Sequence, residues 1–400
     1  MRFVIIGIQL FTSFLLFQCL ISEYRKEDFQ LPLKYFVNKN GYPLEEYSMV
    51  TDDGYILTTH RVPHGKNSTK ANPRPILINH GMGGGSENFF ALGPKESLAY
   101  LLADIGYDVW MMNARGSFYS RKHVTLDPDK DVDFWKFSFH EIGTLDTAAN
   151  IDFILNKTGK EDVFYIGHSQ GSTAYFVLTA MRPEYNKRIK MHVSFGPPVF
   201  IHLNPNDIQH FLSLNEGGIK RIFEIMNHYE MTSPKVQSWV KRYCVMPLFA
   251  KACGVFMSFV AGGTPNGTFR EEMLPWFLRT SPVGTSLYGV GHYLQEDRSG
   301  LFRQFDFGPK ENLKRYNATL PPEYNLNYST APAYLIYSEN DWFASKRSVD
   351  YLTKKLPNVV DKYKIPKKVF NHLDYLTAPD VRQLVYEPTI QFLKEYFNIT

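Results

Sequence analysis

The stretch FYIGHSQGSTAYF, Phe164–Phe176, constrains the fold of this chain strongly, because it places a serine between two glycines directly after a β-favouring run. The residues that follow it are compatible with a helix. A backbone that turns sharply from a strand into a helix crowds its neighbours. Gly167 and Gly171 would relieve that crowding, and the turn would lift the Ser169 hydroxyl clear of the sheet. Because G-x-S-x-G also occurs by chance, the rest of the sequence must decide whether Ser169 is a nucleophile.

The chain around this stretch alternates short apolar runs with helical segments, a pattern typical of a parallel sheet. We predict a crossover helix over Glu141–Gly159 and a mainly helical insertion at about 205–312, where the sequence becomes amphipathic and aromatic-rich. The predicted strands lie within Pro75–Asn79, Tyr107–Asn113, Asp162–Gly167, Met191–Gly196 and Ala331–Asn340, with a last short strand within Pro366–Asp374.

A serine hydroxyl is a poor nucleophile until a base takes its proton, and that base needs an acceptor to orient it. In one common hydrolase order a carboxylate and then a histidine follow the serine. Asp341 ends a predicted strand, and His372 is the only histidine C-terminal to it. Glu339 and Asp374 are rival carboxylates. We rank them second, because Glu339 is still near the strand end and Asp374 would more easily brace the histidine loop.

An acyl-transfer enzyme must also stabilise the oxyanion that forms during attack, and preorganised backbone amides serve this purpose well. One predicted donor is the amide of Gln170, directly after the serine. The other is the amide of Met82, in the glycine-rich turn NHGMGGGSENF. This turn lacks the Lys and Ser/Thr of a phosphate-binding P-loop and the spacing of a dinucleotide fingerprint, which argues against a nucleotide site.

Charge and the N-terminus restrict partners and location. The 44 basic and 40 acidic residues give a net charge of +4 without a long basic run, so nucleic acid is not expected as a partner. Residues 1–22 read as a signal peptide cleaved near Cys19–Ser22, with an uncleaved signal anchor as the alternative. The mature chain, 23–400, contains no further run of membrane-spanning length, and we expect it to form one domain interrupted by the insertion.

Cysteines and glycosylation motifs also indicate the secretory pathway. After signal removal only Cys244 and Cys253 remain; they could close one small loop or stay as two buried thiols. Single N-x-S/T motifs are weak signals, but six of them together with a signal peptide favour a glycoprotein. The acceptor asparagines are Asn67, Asn156, Asn266, Asn317, Asn327 and Asn398.

In order along the chain, these motifs resemble the acid lipase family, which includes gastric and lysosomal acid lipases and many insect gut lipases. The resemblance covers nearly the whole mature chain. It is specific, because N-x-R-G followed by FW-x-FSF-x-E-x-G-x-x-D is far rarer than G-x-S-x-G. The matching strings are TDDGYILTTHRVPHG, INHGMGGGSENF, YDVWMMNARGSFYSRKHV, FWKFSFHEIGTLDTAANIDFIL, YIGHSQGST, PPEYNL, YSENDWFA and FNHLDY.

The resemblance implies an α/β-hydrolase fold, with a mostly parallel central sheet, helices on both faces and an inserted helical cap. It implies hydrolysis of neutral lipid esters by a triad of Ser169, Asp341 and His372. It also implies oxyanion donors at Met82 and Gln170 and a disulfide between Cys244 and Cys253. Family members often have leucine where Met82 stands, and the insertion diverges most, so substrate preference is carried over poorly.

The sequence therefore predicts a serine lipase, secreted or lysosomal, that acts on triacylglycerol-type esters at a lipid–water interface. It is expected to need no metal or organic cofactor. One alternative is a sterol-ester or small-ester hydrolase with the same apparatus. Another, of a different class, is a catalytically silent lipid-binding protein. The pH optimum and the oligomeric state stay open.

Overall fold

The computed structural model describes residues 32–398, apart from 206, 218–228, 245, 261–273 and 283. The predicted signal peptide and Asn266 lie outside the described residues. Eight strands form one sheet in the order β1-β2-β4-β3-β5-β6-β7-β8. β2 pairs antiparallel with β1 and β4, and all other neighbours are parallel. The strands are β1 Glu45–Val50, β2 Ile56–Val62, β3 Arg74–Asn79, β4 Tyr107–Met112, β5 Val163–His168, β6 Ile189–Phe195, β7 Ala333–Tyr337 and β8 Val359–Lys364.

The central strands are buried on both faces, which explains why they read as continuous apolar runs in the sequence. Every residue of β4, β5 and β7 is buried. Successive side chains enter opposite hydrophobic cores: in β3, Leu77 joins one cluster and Ile76 the other. The fold therefore has an apolar layer on each side of the sheet, covered by helices.

The helices are numbered here in chain order. Those outside the segment between β6 and β7 are α1 Leu33–Lys39, α2 Leu98–Asp104, α3 Phe139–Thr158, α4 Gln170–Met181, α11 Lys346–Lys355, α12 Asp374–Thr377 and α13 Glu387–Phe397. Within that segment lie α5 Asp207–Leu214, α6 Pro234–Cys244, α7 Pro247–Val260, α8 Leu274–Thr280, α9 Leu287–Ser299 and α10 Pro309–Tyr316.

Helix α3 confirms the predicted crossover helix. Its start is stabilised by a capping box, in which the Ser138 hydroxyl accepts a backbone hydrogen bond and Glu141 binds the Ser138 amide. The middle turn, Ile142–Thr147, is a π-helix. The helix ends at Gly159, which adopts the left-handed conformation with φ 64°.

The prediction of a last strand within Pro366–Asp374 is wrong. The strand lies earlier, as β8, and pairs in parallel with β7. As an edge strand it is mostly polar and only partly covered, so it lacks the apolar run that marks the central strands. The segment that follows Pro366 is instead a turn, in which the Phe370 amide donates to the Lys367 carbonyl.

The elements described between β6 and β7 are helices, in keeping with the helical character expected there; the limits of a cap at about 205–312 stay a prediction. A disulfide joins Cys244 at the end of α6 to Cys253 in α7. Cys244 and the buried Leu278 of α8 belong to one small hydrophobic cluster, so the disulfide lies where three helices meet. Across the described part of the chain, no helix combines the length and apolarity needed to cross a membrane.

Candidate active site

Ser169 occupies the tight turn between β5 and α4. Its backbone has φ 53° and ψ −123°, a conformation that costs an L-residue energy and that persists only where the surroundings enforce it. The Ser169 amide donates to the Phe195 carbonyl at 2.9 Å, which ties the turn to the end of β6. The side chain is half-buried and stands at the carboxyl edge of the sheet, where open parallel sheets carry their sites.

The two glycines of the motif are required sterically. A Cβ on Gly171 would lie 2.3 Å from the Asn79 carbonyl oxygen, and one on Gly167 would lie 2.6 Å from the Ser172 amide nitrogen. Neither neighbour is a flexible side chain that could move away. The turn can therefore be this tight only with glycine at both positions.

Three side chains from distant parts of the chain form one continuous hydrogen-bonded series. His372 Nε2 lies 2.6 Å from Ser169 Oγ. His372 Nδ1 lies 2.8 Å from Asp341 Oδ2 and 3.0 Å from Asp341 Oδ1. Because a carboxylate only accepts, Nδ1 carries the hydrogen and Nε2 faces the serine as the acceptor.

Asp341 is completely buried, and the backbone holds it in place. Its Oδ1 accepts hydrogen bonds from the amides of Phe343 at 2.8 Å and Ala344 at 3.0 Å. Gly196, with φ 57°, packs against the pair: a Cβ there would lie 2.8 Å from Asp341 Oδ2 and 3.2 Å from His372 Nδ1. Only glycine allows the end of β6 to approach the carboxylate this closely.

The rival carboxylates are engaged elsewhere. Glu339 is exposed and forms an ion pair with Lys364 at 2.9 Å. Asp374 Oδ2 accepts from the Asn371 amide at 2.7 Å, so Asp374 braces the loop that carries His372, as expected. In both contacts the partner of the carboxylate is a group other than the His372 ring.

The glycine-rich turn after β3 passes directly against the serine, since a Cβ on Gly81 would lie 3.0 Å from Ser169 Cβ. His80 anchors this turn: its Nδ1 donates to the Gly81 carbonyl at 2.7 Å, and its Nε2 accepts from the Ala114 amide at 3.0 Å. Burial lowers the pKa of His80 to about 4, which keeps the ring neutral. Met82 and Gln170 both line a small cavity beside this turn, and His80 contributes to its wall. Gln170 begins α4, so its amide has no acceptor within the helix.

His168, at the end of β5, is a residue of the site that the sequence did not predict. Its Nε2 donates to the His372 carbonyl at 3.1 Å, and the two rings lie 5.3 Å apart. Burial lowers the pKa of His168 to about 3, so this histidine is a neutral support for the His372 loop. Its position inside the G-x-S-x-G motif was the only available signal.

Arg115 and Asp146, which belong to the rarer motifs, form a buried ion pair that also contacts the partly exposed Asp53. Arg115 Nε lies 2.7 Å from Asp146 Oδ1 in α3, and the Arg115 amide donates to Asp146 Oδ2 at 2.8 Å. Two further nitrogens of the guanidinium contact Asp53, in the turn between β1 and β2. The guanidinium also stacks 4.0 Å from the Tyr55 ring centroid. These ion pairs join three elements behind the glycine-rich turn.

The described residues include no group of three or more His, Cys, Asp or Glu side chains placed to hold a metal ion. The groups gathered at the site are Ser169, His372, Asp341 and the neighbouring amides. A neutral imidazole bonded to a serine hydroxyl can act as a general base and later as a general acid.

The chain matches models of known protein families. A family model described as "alpha/beta hydrolase fold" matches residues 74–379, and one described as "Partial alpha/beta-hydrolase lipase region" matches residues 33–93. The first match spans most of the chain. The protein is an α/β-hydrolase, and within that fold the chain belongs to the lipase family.

Curated relatives agree with this assignment. Lipase 1 of Drosophila melanogaster is 38% identical over 92% of this chain and 81% of its own length. Gastric triacylglycerol lipase of Homo sapiens is 35% identical over 89% of both chains. Lipase member K of Homo sapiens is 33% identical over 90% of this chain and 89% of its own.

Solved structures support the fold. An epoxide hydrolase of Bacillus megaterium has a TM-score of 0.52 at 13% identity and covers 87% of this chain and 99% of its own. Epoxide hydrolase VrEH1 of Vigna radiata has a TM-score of 0.51 at 15% identity, with 88% and 98% covered. At such low identity the likeness concerns the fold alone.

Proposed function

We propose that this protein hydrolyses neutral lipid esters of the triacylglycerol type through an acyl-enzyme on Ser169. His372 takes the Ser169 proton during attack on the carbonyl and donates it to the leaving alcohol. Asp341 holds the His372 ring and stabilises its charged form. The amides of Met82 and Gln170 stabilise the oxyanion. A water molecule then repeats these steps on the acyl-enzyme and releases the fatty acid.

The main support for this proposal is the unbroken hydrogen-bonded series from Ser169 through His372 to the buried Asp341. Burying a carboxylate is costly unless it is well paired, and here its partners are two amides and one imidazole. A merely structural aspartate would not need an imidazole that faces a strained, half-buried serine. The name of the human relative, gastric triacylglycerol lipase, supports the ester class.

The decisive variant is Ser169→Ala. We expect turnover of a triacylglycerol emulsion to fall at least about a thousand-fold, because no other group can form the acyl-enzyme. Labelling by a fluorophosphonate should disappear in parallel, while circular dichroism stays unchanged. Persistent hydrolysis by the pure variant would refute the mechanism. A wild-type protein that neither hydrolyses esters nor labels would instead support a silent lipid-binding protein.

Two carboxylate variants test the assignment of the triad acid. Asp341→Asn should lower kcat about ten thousand-fold, because an amide no longer fixes the His372 tautomer or stabilises its charge. Glu339→Gln, two residues away, is the matched control and should leave kcat unchanged. Equal losses in the two variants would contradict the role of Asp341.

A lipid surface is proposed as the place of action, because the structure exposes apolar side chains together. Val236, Trp239 and Tyr243 recur at helical spacing along α6. Met246 follows just before α7, and Phe249 lies in the first turn of α7. Trp239 is 63% exposed. These five residues form the proposed surface. Adjacent apolar groups exposed in this way mark an interaction surface, and a lipid interface suits an enzyme for water-insoluble esters.

The double variant Trp239→Ser/Tyr243→Ser tests this proposal. Activity on emulsified triacylglycerol should fall about tenfold or more, because less apolar area enters the lipid. Activity on a soluble short-chain ester should stay the same. Val50→Ser, which removes an exposed apolar residue from β1, is the control. Unchanged binding of the double variant to triacylglycerol-coated droplets would contradict the proposed surface.

We also propose that the protein enters the secretory pathway and is either secreted or delivered to the lysosome. The disulfide favours an oxidising compartment. Five acceptor asparagines are exposed, as glycosylation requires: Asn67, Asn156, Asn317, Asn327 and Asn398. The protein from its own cells should gain mobility on gels after treatment with an N-glycosidase, and an unglycosylated cytosolic protein would contradict the routing.

A further inference from the structure

A buried ion pair joins the glycine-rich turn after β3 to the segment between β6 and β7. Glu87 lies two residues after the last glycine of the turn, in the short 3₁₀ helix Ser86–Phe89. Its Oε2 lies 3.2 Å from Arg279 Nε in α8, and the two side chains are only 1% and 11% exposed. Tyr119 donates a hydrogen bond to Glu87 Oε1. Burial and the Glu87 carboxylate raise the pKa of Tyr119, so the hydroxyl keeps its proton and remains a donor.

Further contacts join the same two parts of the chain. Trp276 Nε1 in α8 donates to the Glu87 carbonyl at 3.2 Å. A Cβ on Gly83, inside the turn, would lie 3.0 Å from Thr285 Oγ1 and 3.3 Å from Pro282 Cβ. Residues 276–285 therefore pack against both the glycine-rich turn and the 3₁₀ helix that follows it.

The turn depends on such contacts because its own backbone is not stiff. Residues 83–85 are three consecutive glycines, directly after Met82, whose amide is a proposed oxyanion donor. Glycine allows a wider range of backbone conformations than other residues. A preorganised amide must already point at the oxyanion before attack begins. The direction of the Met82 amide therefore has to be fixed by the residues on either side of the glycines.

The anchors on the two sides differ in origin. Before the glycines, His80 binds the turn to the residue that follows Asn113, after β4. After the glycines, the Ser86 amide donates to Asn113 Oδ1 at 2.9 Å, so this anchor also belongs to the end of β4. Glu87 adds an anchor from outside the sheet, because its charged partner Arg279 belongs to α8. A buried carboxylate that loses its cation is strongly destabilised, and Glu87 would then move and displace the turn.

We propose that Glu87 and Arg279 are positioning residues, whose ion pair holds the glycine-rich turn so that the Met82 amide points at the oxyanion. The inference rests on the proposed ester hydrolysis at Ser169. Both side chains act through the backbone of the turn. Because the oxyanion forms only during attack, loss of the ion pair should lower kcat and leave KM nearly unchanged.

The test compares Arg279→Met with Arg121→Met as its matched control. Arg121, in the loop after β4, forms a similarly buried ion pair with Glu230 in the segment between β6 and β7, at 3.0 Å with side chains 13% and 6% exposed. Both variants therefore remove a guanidinium from a buried glutamate, but only Arg279→Met does so beside the glycine-rich turn. Melting temperatures show whether the two variants are destabilised to a similar extent.

The activity measurements are kcat and KM for p-nitrophenyl butyrate and Ki for butylboronic acid, which forms a tetrahedral adduct with the catalytic serine. Arg279→Met should lower kcat about tenfold or more, keep KM within about twofold, and raise Ki by about the same factor as kcat falls. Arg121→Met should keep kcat and Ki within about twofold of wild type. Equal losses of kcat in the two variants, or an unchanged Ki in Arg279→Met, would overturn the positioning role.

Two further variants keep the test informative if Arg279→Met folds poorly. Arg279→Lys retains the charge and should recover kcat to within about threefold of wild type. The double variant Glu87→Gln/Arg279→Met leaves no unpaired charge, so it should fold, yet it should still show the loss of kcat and the raised Ki. Wild-type values in the double variant would overturn the role of the ion pair alone. Absence of Ser169-dependent turnover of every ester in the wild-type protein would overturn the proposed function and this role with it.

Discussion

At the residue scale, single atoms decide where the strained turn can form. Ser169 holds an unfavourable backbone conformation because its amide binds the Phe195 carbonyl and because Gly171 lets the Asn79 carbonyl approach. Gly196 plays the same part for Asp341 and His372. The residues that permit close approach are therefore as necessary to the site as the residues that carry its chemistry.

The pKa of Glu296 is set by two opposing effects, its burial and the nearby charge of Arg303. This residue is almost completely buried in α9, and burial raises its pKa well above the ordinary value despite the positive charge of Arg303. A carboxyl group with a raised pKa stabilises the fold in acid and loses that contribution as pH rises above the pKa of the unfolded chain. Its ionisation in the unfolded chain at neutral pH therefore opposes folding.

We therefore expect Glu296→Gln to raise the melting temperature at pH 7 by a few degrees, since the amide is neutral in both states. Near pH 4 the variant and the wild type should melt at similar temperatures. Differential scanning calorimetry at the two pH values measures this, with the exposed Glu161→Gln as the control. A variant less stable than wild type at pH 7 would contradict the argument.

At the element scale, the ion pairs of the buried Arg115 with the buried Asp146 and the partly exposed Asp53 join the end of β4, helix α3 and the turn between β1 and β2. Burial raises the pKa of Asp146 even though Arg115 lies against it. Breaking a buried ion pair on one side leaves a charge without compensation, which costs more than the pair itself contributes.

Asp146→Asn should therefore lower the free energy of unfolding by about 3 kcal/mol or more, because the fully buried guanidinium keeps only one carboxylate partner. Asp53→Asn, at a position 37% exposed, should cost only about 1 kcal/mol, since water compensates part of the loss. Urea unfolding curves give both values. The prediction fails if Asp53→Asn costs as much as Asp146→Asn.

At the scale of the whole molecule, buried histidines govern the response of stability to acid. Burial lowers the pKa of His80 to about 4 and the pKa values of His168 and His292 to about 3. Burial also lowers the pKa values of His140, His192 and His202. Raised pKa values at Asp108, Asp146 and Glu296 act in the opposite direction, but among the described residues these carboxyl groups are fewer than the histidines with lowered pKa values.

A histidine with a lowered pKa contributes stability that is complete above the pKa of the unfolded chain, about 6.5, and is lost as pH falls toward the folded value. The protein should therefore lose stability from pH 7 to pH 4, by up to about 1.4 kcal/mol per pH unit for each such histidine. Unfolding at pH 5 should take up protons, which calorimetry in buffers of different ionisation enthalpy measures. Release of protons at pH 5 would show that the carboxyl groups dominate.

Local sequence by itself determined the parts of this protein that depend on neighbouring residues. The steric demands of G-H-S-Q-G predict the turn at Ser169, apolar runs predict the buried parallel strands, and Gly159 predicts the end of α3. Chain order also singled out His372 and Asp341, and the adjacency of Asp374 to His372 predicted its bracing contact.

Only the tertiary structure decided what depends on contacts between distant segments. The polar edge strand β8 is defined by pairing with β7, so its own sequence carried too weak a signal. The contact of Arg115 with Asp53 and Asp146 and the support of His372 by His168 each join segments far apart in the chain. Local periodicity cannot specify such contacts, because they form only when the packed sheet and helices bring those segments together.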